Sequence, residues 1–197
     1  MRAVIDANVL MQIMGDCENG LFCPITGEEI SDLQNRTEAL VQYFSDDAHM
    51  ILIPAPVLAE ILVRYEESTH QDVLNAIKSS PALQVAPFNE LCAVECARIL
   101  SDAEIKQWKS EGDAKAKISV DRQVIATGIA YGADELWTHD KRVFKKVDSL
   151  AEKTGMIARS LSEMNPKPTQ HSMFDDADGA GSTTDDAVGS RAGGKSQ

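Results

Sequence analysis

Short apolar runs recur along the chain, and all but the last are followed by a segment with helical periodicity. The runs lie at residues 3–5, 50–53, 83–86, 135–138 and 156–158. Runs of this length, bounded by polar residues or turn signals, are typical of buried strands. Strands that alternate with helices predict a parallel sheet with helices on both faces. We therefore expect an α/β fold, a three-layer α/β/α sandwich around a central parallel sheet.

The segments between these runs carry the helical pattern. Apolar spacing and capping residues predict helices at residues 9–14, 32–44, 56–67, 69–78, 89–109, 120–131 and 141–146. Residues 16–30 contain three successive turn signals and are expected to form an irregular excursion. From residue 165 the chain has almost no large apolar side chains, which predicts a disordered tail at 165–197 after one domain at 1–164.

Composition limits the location and partners of the chain. No stretch reaches the roughly 18 consecutive apolar residues of a membrane span, and the start of the sequence lacks the pattern of a signal peptide. We therefore expect a cytoplasmic protein with no membrane partner. The formal charge of −12 argues against a simple nucleic-acid-binding module. A polyanionic substrate would need a local basic patch or bridging cations.

The four cysteines are spaced as C-x5-C (Cys17 and Cys23) and C-x3-C (Cys92 and Cys96). Neither spacing is the usual C-x2-C of a structural zinc site. We favour reduced thiols over zinc ligands, in keeping with a cytoplasmic location.

Four acidic residues occupy places where a parallel sheet collects functional groups. Asp6 and Asp140 each follow a predicted strand, Glu60 borders the apolar stripe of its helix, and Asp121 falls inside the apolar face of residues 120–131. The carboxyl ends of parallel strands meet at one edge, so these side chains can converge there. The structural alternative is that Asp6, Asn8, Asp121 and Asp140 cap helices and Glu60 is solvated.

Clustered carboxylates repel one another unless cations neutralise them. Hard oxygen ligands of this kind favour Mg²⁺ or Mn²⁺ over zinc. Such a site can activate water and stabilise the attacking and leaving oxygens in phosphodiester hydrolysis. Residues 141–159 hold six basic residues against two acidic ones, so a phosphate group could find partners there. His139 is expected to be a loop residue and not a ligand.

Three stretches together resemble the PIN domain, a nuclease fold found in VapC-type toxins and in ribonucleases of RNA processing. They are V-I-D-A-N-V-L, I-P-A-P-V-L-A-E and V-D-R-Q-V-I-A-T-G-I-A-Y-G-A-D-E-L-W-T-H-D, and the resemblance spans about residues 1–160. It implies a metal site formed by Asp6, Glu60, Asp121 and Asp140. The family's polar residue after the first aspartate matches Asn8, and its Thr-x-Asp matches Thr138 and Asp140.

We therefore expect a Mg²⁺- or Mn²⁺-dependent endoribonuclease that acts on single-stranded RNA. Asp6, Asp121 and Asp140 would hold the metal, and Glu60 would complete the site as a ligand or by orienting water. Asn8 and Thr138 would support the ligands or contact substrate. The expected phosphate contacts are Lys117, Lys141 and Arg142. The resemblance also implies a toxin with an antitoxin partner, and a homodimer.

Three alternatives stay open at this point. A non-catalytic PIN-like module would bind RNA or a protein and keep the carboxylates only as caps. A DNA-directed or structure-specific nuclease would use the same chemistry. A phosphatase of the haloacid dehalogenase type ranks lower, because it normally has a second aspartate where this chain has Asn8. The excursion at 16–30 and the tail exceed a minimal toxin, so they weigh against that role more than against the fold.

Overall fold

Five strands form one parallel sheet in the order β3-β2-β1-β4-β5. The computed structural model describes residues 1–15, 20–46, 49–99 and 120–166. The strands are β1 (Arg2–Ile5), β2 (Met50–Pro54), β3 (Leu83–Ala86), β4 (Glu135–Trp137) and β5 (Ile157–Arg159). The helices are α1 (Ala7–Ile13), α2 (Leu33–Asp46), α3 (Ala55–Leu62), α4 (His70–Ser79), α5 (Glu90–Arg98), α6 (Val120–Ala130) and α7 (Lys141–Thr154). The predicted α/β/α sandwich is confirmed.

The strand order changes direction at the centre of the sheet. The chain moves outward from β1 to β3, then returns to place β4 on the other side of β1. Right-handed crossovers therefore put the helices before β3 and those after it on opposite faces. The carboxyl ends of β1 and β4 flank the point of reversal, where α/β sheets form a crevice for ligands.

The core explains why the strand predictions succeed. Ala3, Val4 and Ile5 of β1 are fully buried because neighbouring strands and helices cover them on every side. Ala3 pairs with Ile51 on one side and with Glu135 on the other. A strand covered in this way needs apolar residues on both faces, which produces the continuous run seen in the sequence.

Three helix predictions are wrong in length. Helix α5 ends at Arg98, with Ile99 as its C-cap, and does not run unbroken from residue 89 to residue 109. Helix α3 ends at Leu62 and not at residue 67, because its last turn tightens: the Arg64 and Tyr65 amides bond to carbonyls three residues back. The imidazole of His70 also bonds to the Leu62 carbonyl, 2.8 Å away. Helix α7 continues to Thr154, well beyond residue 146, and ends at Gly155 in the left-handed conformation.

Several predictions fall on residues outside the described part of the chain. These are residues 100–109 of the long predicted helix, Lys117, Cys17 and residues 167–197 of the predicted tail. Of the predicted excursion, the segment from Leu21 to Ile30 forms a small hairpin with an antiparallel bridge between Phe22 and Glu29. None of the helices in the described ranges combines the length and apolar character that crossing a bilayer requires.

Candidate active site

Asp6 follows β1 directly and is buried, with only 9% of its surface exposed. Its carboxylate caps α1 by accepting the Val9 amide at 3.0 Å. The other carboxylate oxygen accepts a hydrogen bond from the Thr138 hydroxyl. The capping role and the position at the strand end therefore belong to the same side chain.

Asp140 stands at the equivalent place after β4. Its carboxylate caps α7 by accepting the Arg142 and Val143 amides at 2.6 and 3.2 Å. Its own amide donates to the Thr138 hydroxyl at 3.0 Å. Thr138 is fully buried, and its hydroxyl thus joins the two aspartates at the carboxyl ends of β1 and β4.

A cleft of about 130 Å³ lies at this edge of the sheet. All four acidic residues proposed from the sequence line it, and so does Asn8; they are Asp6, Asn8, Glu60, Asp121 and Asp140. The remaining lining is apolar, from Ala7, Val57, Val120, Val124 and Val143. Four separate elements supply the carboxylates, so the chain's topology brings together residues that are far apart in sequence.

Asp121 is more exposed than the helical pattern predicts. The sequence places it on the apolar face of its helix, whereas the structure shows an exposed residue in the first turn of α6. The packed part of that face begins one turn later, at Val124. The first turn projects beyond the core to the rim of the cleft. Glu60, near the end of α3, is also exposed.

The electrostatics of the cleft disfavour the charged forms of Asp6 and Asp121 when no cation is present. Burial raises the pKa of Asp6 to about 6, and the nearby charge of Asp140 adds to the rise. Partial burial also raises the pKa of Asp121, again with a contribution from Asp140. Among the described residues that line the cleft, none is basic.

The donor set suits a hard divalent cation, since it consists of carboxylates with an amide beside them. Within the described ranges, however, no three Asp, Glu, His or Cys side chains are arranged to hold a metal ion. Cys23, Cys92 and Cys96 are free thiols, and Cys17 lies outside the described residues. Glu60 and Asp121 are exposed and can change rotamer, which allows the carboxylates to close around a cation.

Thr138, Lys141 and Arg142 do not line the cleft, and Lys117 lies outside the described residues. Lys141 and Arg142 are exposed in the first turn of α7, and Arg142 forms an ion pair with Asp140 at 3.5 Å. The sequence did not indicate this pair, because a contact between side chains two positions apart depends on the rotamers that they adopt. His139 lies in the loop before α7, as expected; its ring nitrogens are buried without partners, and burial lowers its pKa to about 4.

A second cavity shows that size alone does not locate the chemistry. It measures about 730 Å³ and lies among α1, α2 and α4, with Gln12, Thr37 and Ala76 in its lining. None of the four carboxylates reaches it. The smaller cleft is the candidate active site because four carboxylates line it and two of them, Asp6 and Asp121, have raised pKa values.

Comparison with protein families decides between the folds that could host such a cleft. The model of the PIN domain family matches residues 29–150. The chain belongs to the PIN domain family. Proteins of this family are generally nucleases that use divalent metals. The match includes Glu60, Asp121 and Asp140, and it begins after Asp6 and Asn8. Membership also sets aside the haloacid dehalogenase alternative.

Two complexes are among the solved structures with a similar fold. One is VapBC2 from Rickettsia felis bound to a DNA fragment from its promoter, with 17% identity, 81% of this chain and 98% of that chain covered, and a TM-score of 0.45. The other is DNA-bound VapBC from Salmonella typhimurium, with 12% identity, 82% and 98% coverage, and a TM-score of 0.48. Comparison with curated protein sequences finds no match.

Proposed function

We propose that this PIN domain is a Mg²⁺- or Mn²⁺-dependent endoribonuclease that hydrolyses RNA phosphodiester bonds in the carboxylate-lined cleft. One observation carries the proposal: Asp6, Glu60, Asp121 and Asp140 line a single cleft at the reversal point of the sheet. The two of them with raised pKa values have no basic side chain beside them in that lining. Four carboxylates at one place require a cation to offset their repulsion.

Asp6, Asp121 and Asp140 would hold the cation, and Glu60 would complete the site. A bound divalent cation lowers the pKa of a coordinated water and offsets charge on the phosphate oxygens. Asp6 and Asp140 are kept in place by Thr138 and by the helix amides that they cap. Glu60 is exposed at the cleft, so its carboxylate can also accept a hydrogen bond from the attacking water and orient it.

The substrate side of the cleft would be formed by polar and basic groups. The Asn8 amide lines the cleft and can donate to a phosphate oxygen. Lys141, Arg142 and Lys117 would contact the flanking phosphates. Single-stranded RNA is the proposed substrate. A cytoplasmic location, an antitoxin partner, a toxin role and a homodimer stay predictions.

The proposal is tested by cleavage of a mixed pool of labelled single-stranded RNA and DNA with Mn²⁺, Mg²⁺ or EDTA. Wild-type protein is compared with Asp6→Ala, after circular dichroism shows that both are folded. We expect metal-dependent RNA cleavage by the wild type and none by the variant. Metal-dependent cleavage of the DNA and not of the RNA would indicate a DNA nuclease in place of a ribonuclease. Cleavage that survives in EDTA or in Asp6→Ala would overturn the metal assignment.

Asp121→Asn provides the companion variant. It removes one carboxylate from the cleft and with it part of the mutual repulsion. We expect the rate of cleavage to fall by at least about 100-fold, since even the supporting partners of metal ligands cost about 10- to 100-fold when mutated. The free energy of unfolding in EDTA should stay equal or rise. A folded Asp121→Asn protein that cleaves RNA at the wild-type rate would contradict the assignment.

A non-catalytic module that binds RNA or a protein is the second candidate. It is favoured by the spacing of the carboxylates, because no three acidic, histidine or cysteine side chains among the described residues are poised around a metal. Such a module would keep Asp6 and Asp140 as helix caps, a role that both side chains fulfil. Saturable binding of Mn²⁺ distinguishes the two candidates, since only the nuclease requires it.

A further inference from the structure

Arg142 engages Asp140 through both its backbone and its side chain. The Arg142 amide donates to one carboxylate oxygen, Oδ1, and the Val143 amide donates to the same oxygen. The guanidinium lies 3.5 Å from the other oxygen, Oδ2. Because Oδ1 is used for capping α7, Oδ2 is the oxygen that remains for a cation in the cleft.

Arg142 is the basic residue that pairs with a carboxylate of the cleft. No basic side chain appears among the described residues that line the cleft itself. Arg142 supplies the positive charge nearest to Asp140 in the described structure.

The guanidinium is also free to leave this position. The Arg142 side chain is 81% exposed and its ion pair with Asp140 is long, at 3.5 Å. Exposed pairs of this kind contribute little to stability, because water competes for both charges. A divalent cation carries twice the charge and binds the same oxygen, so it should displace the arginine readily.

We propose that Arg142 is a tethered counter-ion of the cleft. It pairs with Asp140 in the metal-free protein, gives up Asp140 Oδ2 when a divalent cation binds, and then contacts a phosphate of the bound RNA. The proposal rests on the metal-dependent nuclease proposed above. A planar guanidinium suits the last step, since its donors match two phosphate oxygens at once.

Mn²⁺ binding to the full-length protein without RNA, followed by electron paramagnetic resonance, tests the competition. Arg142→Gln should bind Mn²⁺ about 2- to 5-fold more tightly than wild type, the size expected for loss of one exposed ion pair. Arg142→Lys keeps the charge and should stay close to wild type. The matched control is Lys153→Gln, which removes the same charge from the last turn of α7, far from Asp140.

The outcomes separate this inference from the proposed function. If wild type binds Mn²⁺ and Arg142→Gln binds it with equal or lower affinity, the counter-ion role is overturned and the nuclease is unaffected. Equal gains in Arg142→Gln and Lys153→Gln would show a general charge effect and would also overturn it. A folded wild-type protein that binds no Mn²⁺ overturns the proposed function and this inference together.

The phosphate contact is tested by steady-state cleavage of RNA at saturating Mn²⁺. Arg142→Gln should raise KM by a factor several times larger than the factor by which it lowers kcat. Arg142→Lys should recover part of the lost affinity for RNA. Both variants retain the Arg142 backbone amide that donates to the capping carboxylate of Asp140, so the start of α7 should be preserved. An unchanged KM in Arg142→Gln would overturn the contact with the RNA phosphate.

Discussion

The hydroxyl of Thr138 bonds to both aspartates at the reversal point of the sheet. It donates to the Asp6 carboxylate and accepts the Asp140 amide, and it is fully buried. It does not line the cleft, which argues for a positioning residue over a contact with substrate. Its hydroxyl fixes the relative positions of two carboxylates that come from separate strands.

Thr138→Val should therefore affect stability and metal binding together. The variant keeps the shape of the side chain but leaves the Asp140 amide without its partner, at a cost of about 1 to 3 kcal/mol. Mn²⁺ affinity should fall about 10- to 100-fold, as for other residues that orient metal ligands. Thr138→Ser keeps the hydroxyl and is the matched control. Urea unfolding and Mn²⁺ titration check both effects, and equal behaviour of the valine and serine variants would contradict the role.

The raised pKa of Asp6 makes stability depend on pH. Burial raises its pKa from 3.8 to about 6 in the folded protein, so the protonated form is favoured there. The corresponding stabilisation is fully present below the unfolded-state pKa of 3.8 and is lost as the pH rises through about 6. An asparagine at this position does not titrate, so the substitution Asp6→Asn isolates the effect.

In EDTA, we expect the free energy of unfolding of Asp6→Asn to rise relative to that of wild type as the pH increases from about 4 to about 8. The gain should approach about 3 kcal/mol, which corresponds to a shift of about two pKa units. Denaturant unfolding at several pH values measures it. A difference between the two proteins that does not change with pH would show that Asp6 titrates normally.

Single residues mark where sequence reasoning succeeds and where it stops. Asp6 and Asp140 could be located because each ends an apolar run, and a strand end is visible in sequence. The exposure of Asp121 could not, since helical periodicity gives the direction of a side chain but not where the helix leaves the core. The Arg142–Asp140 pair depends on rotamers, which no pattern of residue types encodes.

Helix α6 carries Asp121 into the cleft and rests directly on the sheet. A Cβ atom at Gly128 would lie 2.8 Å from Val4 Cγ1 and 2.8 Å from Met156 Sδ. The absence of a side chain at this position lets the helix approach β1 closely. The distance between α6 and the sheet therefore determines the position of Asp121 relative to Asp6 and Asp140.

Gly128→Ala should destabilise the protein despite the better helix propensity of alanine. Overpacking costs about 1 to 3 kcal/mol, and the propensity gain of about 1 kcal/mol offsets only part of it. In a Val4→Ala background the same substitution should cost less, because one of the two closest contacts is removed. Urea unfolding of wild type, Gly128→Ala, Val4→Ala and the double variant gives the coupling free energy between the two positions directly. Additive effects would contradict the proposed contact.

The lengths of elements were predictable where local sequence decides them. The strands follow their apolar runs closely, most clearly β1 and β2, which are buried between neighbouring strands and helices and are therefore apolar over most of their length. Helix α3 was predicted too long because its end is set by tightened turns and by His70, a residue beyond the helix. Helix α7 was predicted too short because its buried apolar positions, Val143 and Val147, continue beyond residue 146.

The whole molecule carries a formal charge of −12, so a cation bound in the cleft should stabilise it. Any ligand that binds only the folded state raises stability, by about 2.7 kcal/mol at 100 times Kd. We expect Mn²⁺ at that level to raise Tm by roughly 5 to 10 °C for a chain of this size. Thermal unfolding with and without EDTA measures the shift. Asp121→Asn should show a much smaller rise, and an equal rise would place the binding elsewhere.

The central claim is that carboxylates from four elements bind a divalent cation in one cleft. Anomalous diffraction from a crystal grown with Mn²⁺ tests it most directly, since the signal locates the ion without assumptions about activity. We predict a peak within about 2.0 to 2.4 Å of carboxylate oxygens of Asp6, Asp121 and Asp140. A crystal with saturating Mn²⁺ and no peak between those residues would contradict the claim.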